Sequence, residues 1–83
     1  MRDPARIERI LLLIQEIWQR DPDMRFQQLI YVLQNKYSQT NSGYGIITET
    51  AEDGFQHTGF DMFNLEDDDL ERFLTKFISE HRK

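Results

Sequence analysis

The sequence predicts a mainly α fold, a small three-helix domain with an extended or β-hairpin connector between the second and third helices. Apolar residues recur with the 3.6-residue period of a helix in three segments, and start signals precede them. The stretch between the second and third segments is rich in Ser, Thr, Asn and Gly, which favours a break in the helices. Because a second core would not fit in 83 residues, residues 1–83 are expected to form a single domain.

The first helix is predicted over about residues 4–20. Asp3 and Pro4 supply its start, since a side-chain acceptor is followed by a residue already set at helical φ. Pro22 ends it, because the residue before a proline avoids the α region. The apolar stripe of this helix consists of Ile7, Ile10, Leu11, Ile14, Ile17 and Trp18.

The second helix is predicted over about residues 24–37, with Asp21 or Asp23 as its cap. The connection to the first helix is short, which favours an antiparallel-like hairpin of the two helices. Its apolar stripe consists of Phe26, Leu29, Ile30, Leu33 and Tyr37.

The connector, residues 38–64, has two interpretations. Asp53 and Gly54 are a favourable turn pair, and Phe55 to Phe60 can oppose the preceding segment, which predicts a β-hairpin. Two isolated strands are marginal unless they pack on helices, so a mobile loop with docked aromatic residues is the alternative. The β-prone alternation consists of Tyr44, Ile46, Thr48 and Thr50.

The third helix is predicted over about residues 67–80, after a run of four carboxylates at residues 66–69. Carboxylates stabilise the first turn of a helix, and Asp68 and Asp69 are spaced for ion pairs with Arg72. Consecutive helical side chains point about 100° apart, so the run diverges and does not suit a metal ion. The apolar stripe consists of Leu70, Phe73, Leu74, Phe77 and Ile78.

No enzyme signature occurs in the sequence, and we predict a non-enzymatic protein with no catalytic residue, no cofactor and no metal site. There is no cysteine, and the two histidines, His57 and His81, lack the spaced partners of a zinc site. The serines lack a G-x-S-x-G context, and the four glycines form no phosphate-binding pattern. His81 and the basic residues beside it are expected at the negative end of the third helix.

The charge distribution is uneven. Residues 1–40 hold six Lys or Arg against five Asp or Glu, whereas residues 41–83 hold four against ten. Nine carboxylates and no Lys or Arg occur from Tyr37 to Glu71. This stretch would repel a phosphate backbone, so the charge distribution disfavours nucleic-acid binding. The longest apolar run is too short to span a membrane, and no signal peptide is recognisable, so a cytoplasmic protein without membrane contact is expected.

Four segments resemble a family of small uncharacterised bacterial and phage proteins: RDPxRI at 2–7, W-x₃-PD-x-R at 18–25, QLI at 28–30 and EDDDLE at 66–71. The resemblance covers both ends of the chain, and the stretch from Ser38 to Asp61 departs from it. It implies a fold and no activity. A separate hypothesis follows from the acidic surface: in a small bacterial or phage protein, it would bind a host or defence protein and block its nucleic-acid site by acidic mimicry.

These observations predict a small acidic interaction or regulatory module that binds a basic protein partner. The partner-binding residues are predicted to be Glu49, Glu52, Asp53, Asp61, Glu66, Asp67 and Asp68. The alternative is a structural homodimer through apolar residues beside the main helical stripes: Leu12, Leu13, Tyr31 and Val32. A nucleic-acid-binding regulator comes third. The flank of Arg2, Arg6 and Arg9 is expected to be solvated.

Overall fold

The computed structural model describes residues 2–80, which form three α-helices and one two-stranded antiparallel sheet. The elements bear out the mainly α prediction and resolve the connector as a hairpin. The described residues divide into two compact units, residues 2–26 with 65–80 and residues 27–64. In chain order, the elements are α1 (Ala5–Gln19), α2 (Phe26–Thr40), β1 (Ile46–Thr50), β2 (Gln56–Phe60) and α3 (Asp67–Glu80).

The helix bounds lie within three residues of the sequence prediction. The largest difference is at the end of α2, which continues to Thr40. None of the helices described between residues 2 and 80 is long and apolar enough to cross a membrane. The antiparallel arrangement of the first two helices and the single domain stay predictions, and His81 lies outside the described residues.

In the first unit, α1 packs against α3, and the buried side chains are Ile17, Leu74 and Ile78. The face of α1 that carries Ile17 is turned toward α3. Ile7 and Leu11 lie roughly 100° around the helix from this face, and their side chains are 54% and 60% exposed. Part of the apolar stripe of α1 is therefore exposed.

Both ends of α1 are held by local hydrogen bonds. At the start, Oδ1 of Asp3 accepts a hydrogen bond from the backbone N–H of Ala5 at 3.0 Å. After the helix ends, Nε1 of Trp18 donates to the backbone oxygen of Met24 at 2.7 Å, and its ring lies 5.3 Å from that of Phe26. The indole therefore fixes the course of the chain around Pro22.

In the second unit, the end of α2 is capped by residues that follow it. The side-chain amide of Asn41 donates to the backbone oxygen of Tyr37 at 2.8 Å, and the N–H of Gly43 donates to that of Ser38 at 2.8 Å. Because these carbonyls are satisfied, α2 extends past the predicted end. Ser38 is fully buried, and its hydroxyl has no hydrogen-bond partner among the described residues.

The hairpin is joined by a tight turn and rests on α2. The N–H of Ala51 donates to the oxygen of Phe55 at 2.7 Å, and the turn contains Gly54 with a φ of 83°. Phe60 in β2 lies 5.5 Å from the ring of Tyr31 in α2. This packing meets the requirement that two strands have a helical support. The strand register pairs Ile46 with Phe60, Thr48 with Thr58 and Thr50 with Gln56.

We predict that Gly45→Ala destabilises the second unit by about 2 kcal/mol or more, because Gly45 has a left-handed backbone, with φ 76°. A Cβ there would lie 2.7 Å from the backbone oxygen of Asp61. Asp61 is itself held in place, because its backbone N–H donates a hydrogen bond to the backbone oxygen of Gly45. The measurement is the free energy of unfolding from urea titration.

The matched control is Gly59→Ala in β2, where a Cβ would meet nothing within 4 Å. Its backbone suits any residue, so its free energy of unfolding should be unchanged or slightly higher. Equal effects of the two substitutions would contradict the assignment of Gly45 as a required close contact.

Candidate functional site

Three arginines of the first unit form ion pairs with three carboxylates at the start of α3. The arginines are spaced so that they share one flank of α1, and they meet residues 61 to 64 positions away in sequence. We call this set the ion-pair row. It consists of Arg2 with Glu66 at 3.2 Å, Arg6 with Asp67 at 2.6 Å, and Arg9 with Glu71 through two bonds of 3.0 and 3.3 Å.

The pairs of the ion-pair row differ in exposure. Arg6 and Asp67 have side chains that are 22% and 37% exposed, whereas Arg2 and Glu66 are 64% and 63% exposed. Exposed pairs contribute roughly 0.2 to 1 kcal/mol, so the row orients α1 on α3 more than it stabilises the unit. The arginine flank is predicted only to be solvated; Arg2 and Arg9 are indeed exposed, but all three arginines also pair with carboxylates distant in sequence.

Asp3 extends the row at the start of α1. The pKa of Asp3 lies below its ordinary value because the backbone N–H of Ala5, and secondly Arg9, donate hydrogen bonds to its carboxylate. The pKa of Arg9 is raised, first by its hydrogen bonds to Glu71 and then by Asp3. Both groups are therefore ionised at neutral pH, and the charges of the row compensate one another locally.

The remaining carboxylates of the run behave in two ways. Asp69 pairs with Arg72, as the spacing of three residues predicts. Asp68 is exposed and has no ion-pair partner within residues 2–80. Of the predicted partner-binding residues in α3 and just before it, Glu66 and Asp67 thus form ion pairs within the molecule, whereas Asp68 is available to a binding partner.

A shallow groove runs along α3 beside the ion-pair row. It is lined by side chains of both charges and two hydroxyl groups: Arg9, Asp68, Glu71, Arg72, Thr75, Lys76 and Ser79. The hydroxyl of Thr75 donates to the backbone oxygen of Glu71 at 2.9 Å, and no histidine lies in the lining. Within residues 2–80, no group of three or more His, Asp or Glu is arranged to hold a metal ion.

The other four predicted partner-binding carboxylates lie on the second unit. Glu49 is in β1 opposite His57, Glu52 and Asp53 are in the turn, and Asp61 follows β2. All four are exposed, and none forms an ion pair with any described residue. Asp53 and Asp61 each accept one local backbone N–H, from Phe55 and Phe63. We call residues 46–61 the acidic hairpin.

Apolar side chains stand beside these carboxylates, and sequence reasoning missed them as site residues. Ile47 is 43% exposed and shares a strand face with Glu49, since alternate residues point to the same side. Phe55 is 63% exposed, and its ring lies 5.2 Å from that of His57. The sequence did contain a signal for Ile47. Side chains alternate along a strand, so if Ile46 lies on the face toward α2, Ile47 lies on the opposite face.

The outer edge of β1 carries backbone groups that the hairpin does not use. The N–H of Asp61 donates to the oxygen of Gly45, and that of Ala51 donates to Phe55. Hydrogen-bonded and non-hydrogen-bonded pairs alternate in an antiparallel sheet, so the N–H and C=O groups of Thr48 and Thr50 point away from β2. The N–H of Ile46 already donates to Gly43.

The residues predicted for a homodimer lie on two helices. On α1, Leu12 is 54% exposed and Leu13 is half-buried. On α2, Tyr31 is 50% and Val32 is 41% exposed. Tyr31 nevertheless uses part of its ring against Phe60.

No family model, curated protein or solved structure matches this chain. The resemblance to small bacterial and phage proteins therefore stays a prediction.

We predict that Arg6 and Asp67 are coupled by about 0.5 to 1 kcal/mol, because this pair is the most sheltered of the ion-pair row. The measurement is a double-mutant cycle with Arg6→Gln and Asp67→Asn, using the free energy of unfolding. The cycle removes the separate contribution of Asp67 to the helix start.

The control cycle uses Arg2→Gln and Glu66→Gln, a pair that is mostly exposed. Its coupling should be near zero, and both couplings should fall in 1 M salt. A larger coupling for the exposed pair would contradict the ranking by burial.

Proposed function

We propose that this protein is a small acidic, non-enzymatic interaction module that binds a basic protein partner through the acidic hairpin. One observation carries the proposal. The hairpin carboxylates are exposed and without ion pairs among the described residues, whereas Glu66 and Asp67 already have arginine partners. Glu66 and Asp67 therefore leave the set of seven predicted residues, and Asp68, although available, is the only remaining member on the first unit. The proposed partner surface consists of the other four, which the hairpin carries together: Glu49, Glu52, Asp53 and Asp61.

The long-range field supports a basic partner. The chain has a net charge of −5, and no Lys or Arg occurs between Lys36 and Arg72 to offset the hairpin carboxylates. A field of one sign accelerates encounter with an oppositely charged protein and weakens as salt rises. The expected signature is an association rate that depends strongly on ionic strength.

Apolar contacts supply the binding affinity that exposed charge pairs do not. Protein interfaces combine buried apolar or aromatic anchors with a polar rim, and charge pairs at a rim contribute little affinity. Ile47 and Phe55 lie among the hairpin carboxylates and are exposed. The acidic hairpin thus offers both parts of such an interface.

The ion-pair row weakens the case for a nucleic-acid partner. Phosphate binding requires Lys or Arg side chains that are available to neutralise the backbone. Arg2, Arg6 and Arg9 are the arginines clustered on one face, and each is paired with a carboxylate. A nucleic-acid-binding regulator therefore stays the third candidate.

We predict that the protein binds a fluorescent basic peptide, TKTVTKTVTKT, through the acidic hairpin. A variant with Glu49→Gln, Glu52→Gln, Asp53→Asn and Asp61→Asn should bind about 10-fold more weakly at 50 mM salt, since the attraction is electrostatic. Asn keeps the local oxygen acceptors of Asp53 and Asp61, so folding is retained. Fluorescence anisotropy measures the Kd.

The matched control removes four exposed carboxylates of the first unit through Glu8→Gln, Glu16→Gln, Asp21→Asn and Asp23→Asn. The net charge changes by the same amount, and the Kd should change less than about 2-fold. Equal weakening by both variants would show attraction to net charge alone and would sink the proposal.

A second candidate function is a structural homodimer, favoured by the exposure of Leu12 on α1 and of Tyr31 and Val32 on α2. Exposed apolar patches of several hundred Å² mark interfaces. On this reading, sedimentation at about 100 μM shows a dimer, and Leu12→Glu shifts it toward monomer. A monomer at that concentration in the unaltered chain would end this candidate.

A further inference from the structure

We propose that the basic partner binds as a third β-strand, antiparallel to β1 along its outer edge. This inference rests on the proposed function and deepens it, because it names the conformation of the partner segment and the backbone groups that receive it. The occupant is an extended basic segment of another protein, and the recognition is strand addition.

The outer edge of β1 offers the hydrogen bonds that such a strand needs. The N–H and C=O groups of Thr48 and Thr50 point away from β2, and all of β1 is exposed. An edge of unpaired backbone groups is a template for another chain. A strand added there would exchange hydrogen bonds with Thr48 and Thr50.

Charge selects β1 over β2. Glu49 lies within β1, and Glu52 and Asp53 follow in the turn, whereas β2 contains no carboxylate. A basic segment beside β1 therefore meets a carboxylate within the strand, whereas the same segment beside β2 meets carboxylates only beyond the strand ends, at Asp53 and Asp61. At its far end, β2 also engages Phe60 with the ring of Tyr31.

The strand face defines the side chains of the partner. Ile47 and Glu49 lie two positions apart on one face of β1, and Thr48 lies on the other. Directly opposite side chains of neighbouring strands contact each other. The favoured partner has an aliphatic residue and a Lys or Arg two positions apart, separated by a small β-prone residue. The peptide TKTVTKTVTKT has this pattern.

The test is N-methylation of this peptide. In antiparallel addition, the residues opposite Thr48 and Thr50 turn their N–H groups toward β1, and those opposite Ile47 and Glu49 turn theirs away. With the peptide's two central threonines opposite Thr48 and Thr50, N-methylation of both should weaken binding at least 10-fold, because their hydrogen bonds to β1 are lost. N-methylation of the two valines beside them, whose N–H groups turn away from β1, should change the Kd less than about 2-fold.

A second readout separates the two edges of the hairpin. In the complex, amide hydrogen exchange at Thr48 and Thr50 should slow at least 10-fold, and exchange at Thr58 on the outer edge of β2 should not change. Slowed exchange at Thr58 in place of Thr48 and Thr50 would overturn the choice of β1.

The outcomes distinguish this inference from the proposed function. If both methylated peptides bind like the parent, and the hairpin charge variant still weakens binding, strand addition is wrong and the acidic binding module stands. If both methylated peptides weaken equally, antiparallel addition is likewise overturned. If the parent peptide binds without dependence on the hairpin carboxylates, both fail.

Discussion

The contact between α1 and α3 determines the first unit, and it joins segments far apart in sequence. Arg6 and Asp67 are 61 positions apart, and their side chains meet at 2.6 Å. The buried apolar group there is small, with Ile17, Leu74 and Ile78 as its members. A small apolar core permits several rotations of a helix about its axis. The ion-pair row selects one of them, because only one rotation brings all three arginines to carboxylates.

The same row explains why an acidic chain has two kinds of acidic surface. Carboxylates opposite the arginine flank are neutralised within the molecule, and those of the hairpin have no basic residue near them in sequence. Net charge does not reveal this difference. Glu49 also has a second effect, since a charged residue on an exposed strand discourages two copies of the hairpin from pairing through β1. At this position Glu49 would attract a basic partner and repel the Glu49 of a second copy of the hairpin.

The helices were predictable because their signals are local. Periodicity, Pro22 and the first-turn carboxylates of α3 placed them close to their observed bounds. The pairing of α1 with α3 was not predictable, because periodicity shows which residues share a face and does not show what lies opposite. For that reason neither the exposure of Ile7 and Leu11 nor the pairing of Arg6 with Asp67 follows from the sequence pattern.

The hairpin was predictable only as one of two alternatives. Its strands alone are too weak a signal, and the deciding contacts are tertiary: Tyr31 with Phe60, and Tyr37 with Tyr44 at 5.7 Å. Of the candidate site, the carboxylates were found from composition. The open edge of β1 required the strand register, which depends on the backbone bond between Gly45 and Asp61.

The separation of α1 from α3 in sequence has a consequence for synthesis on the ribosome. The second unit is continuous, so its hairpin forms on a microsecond timescale once residues 27–64 have emerged. The first unit must close a long loop, and translation at 5 to 20 residues per second leaves α1 waiting about 3 to 12 seconds for α3. Throughout that interval α1 lacks its packing against α3, and Ile7 and Leu11, which are exposed even in the folded protein, add to its apolar surface. The nascent α1 is thus the segment of this chain that a ribosome-associated chaperone would meet first.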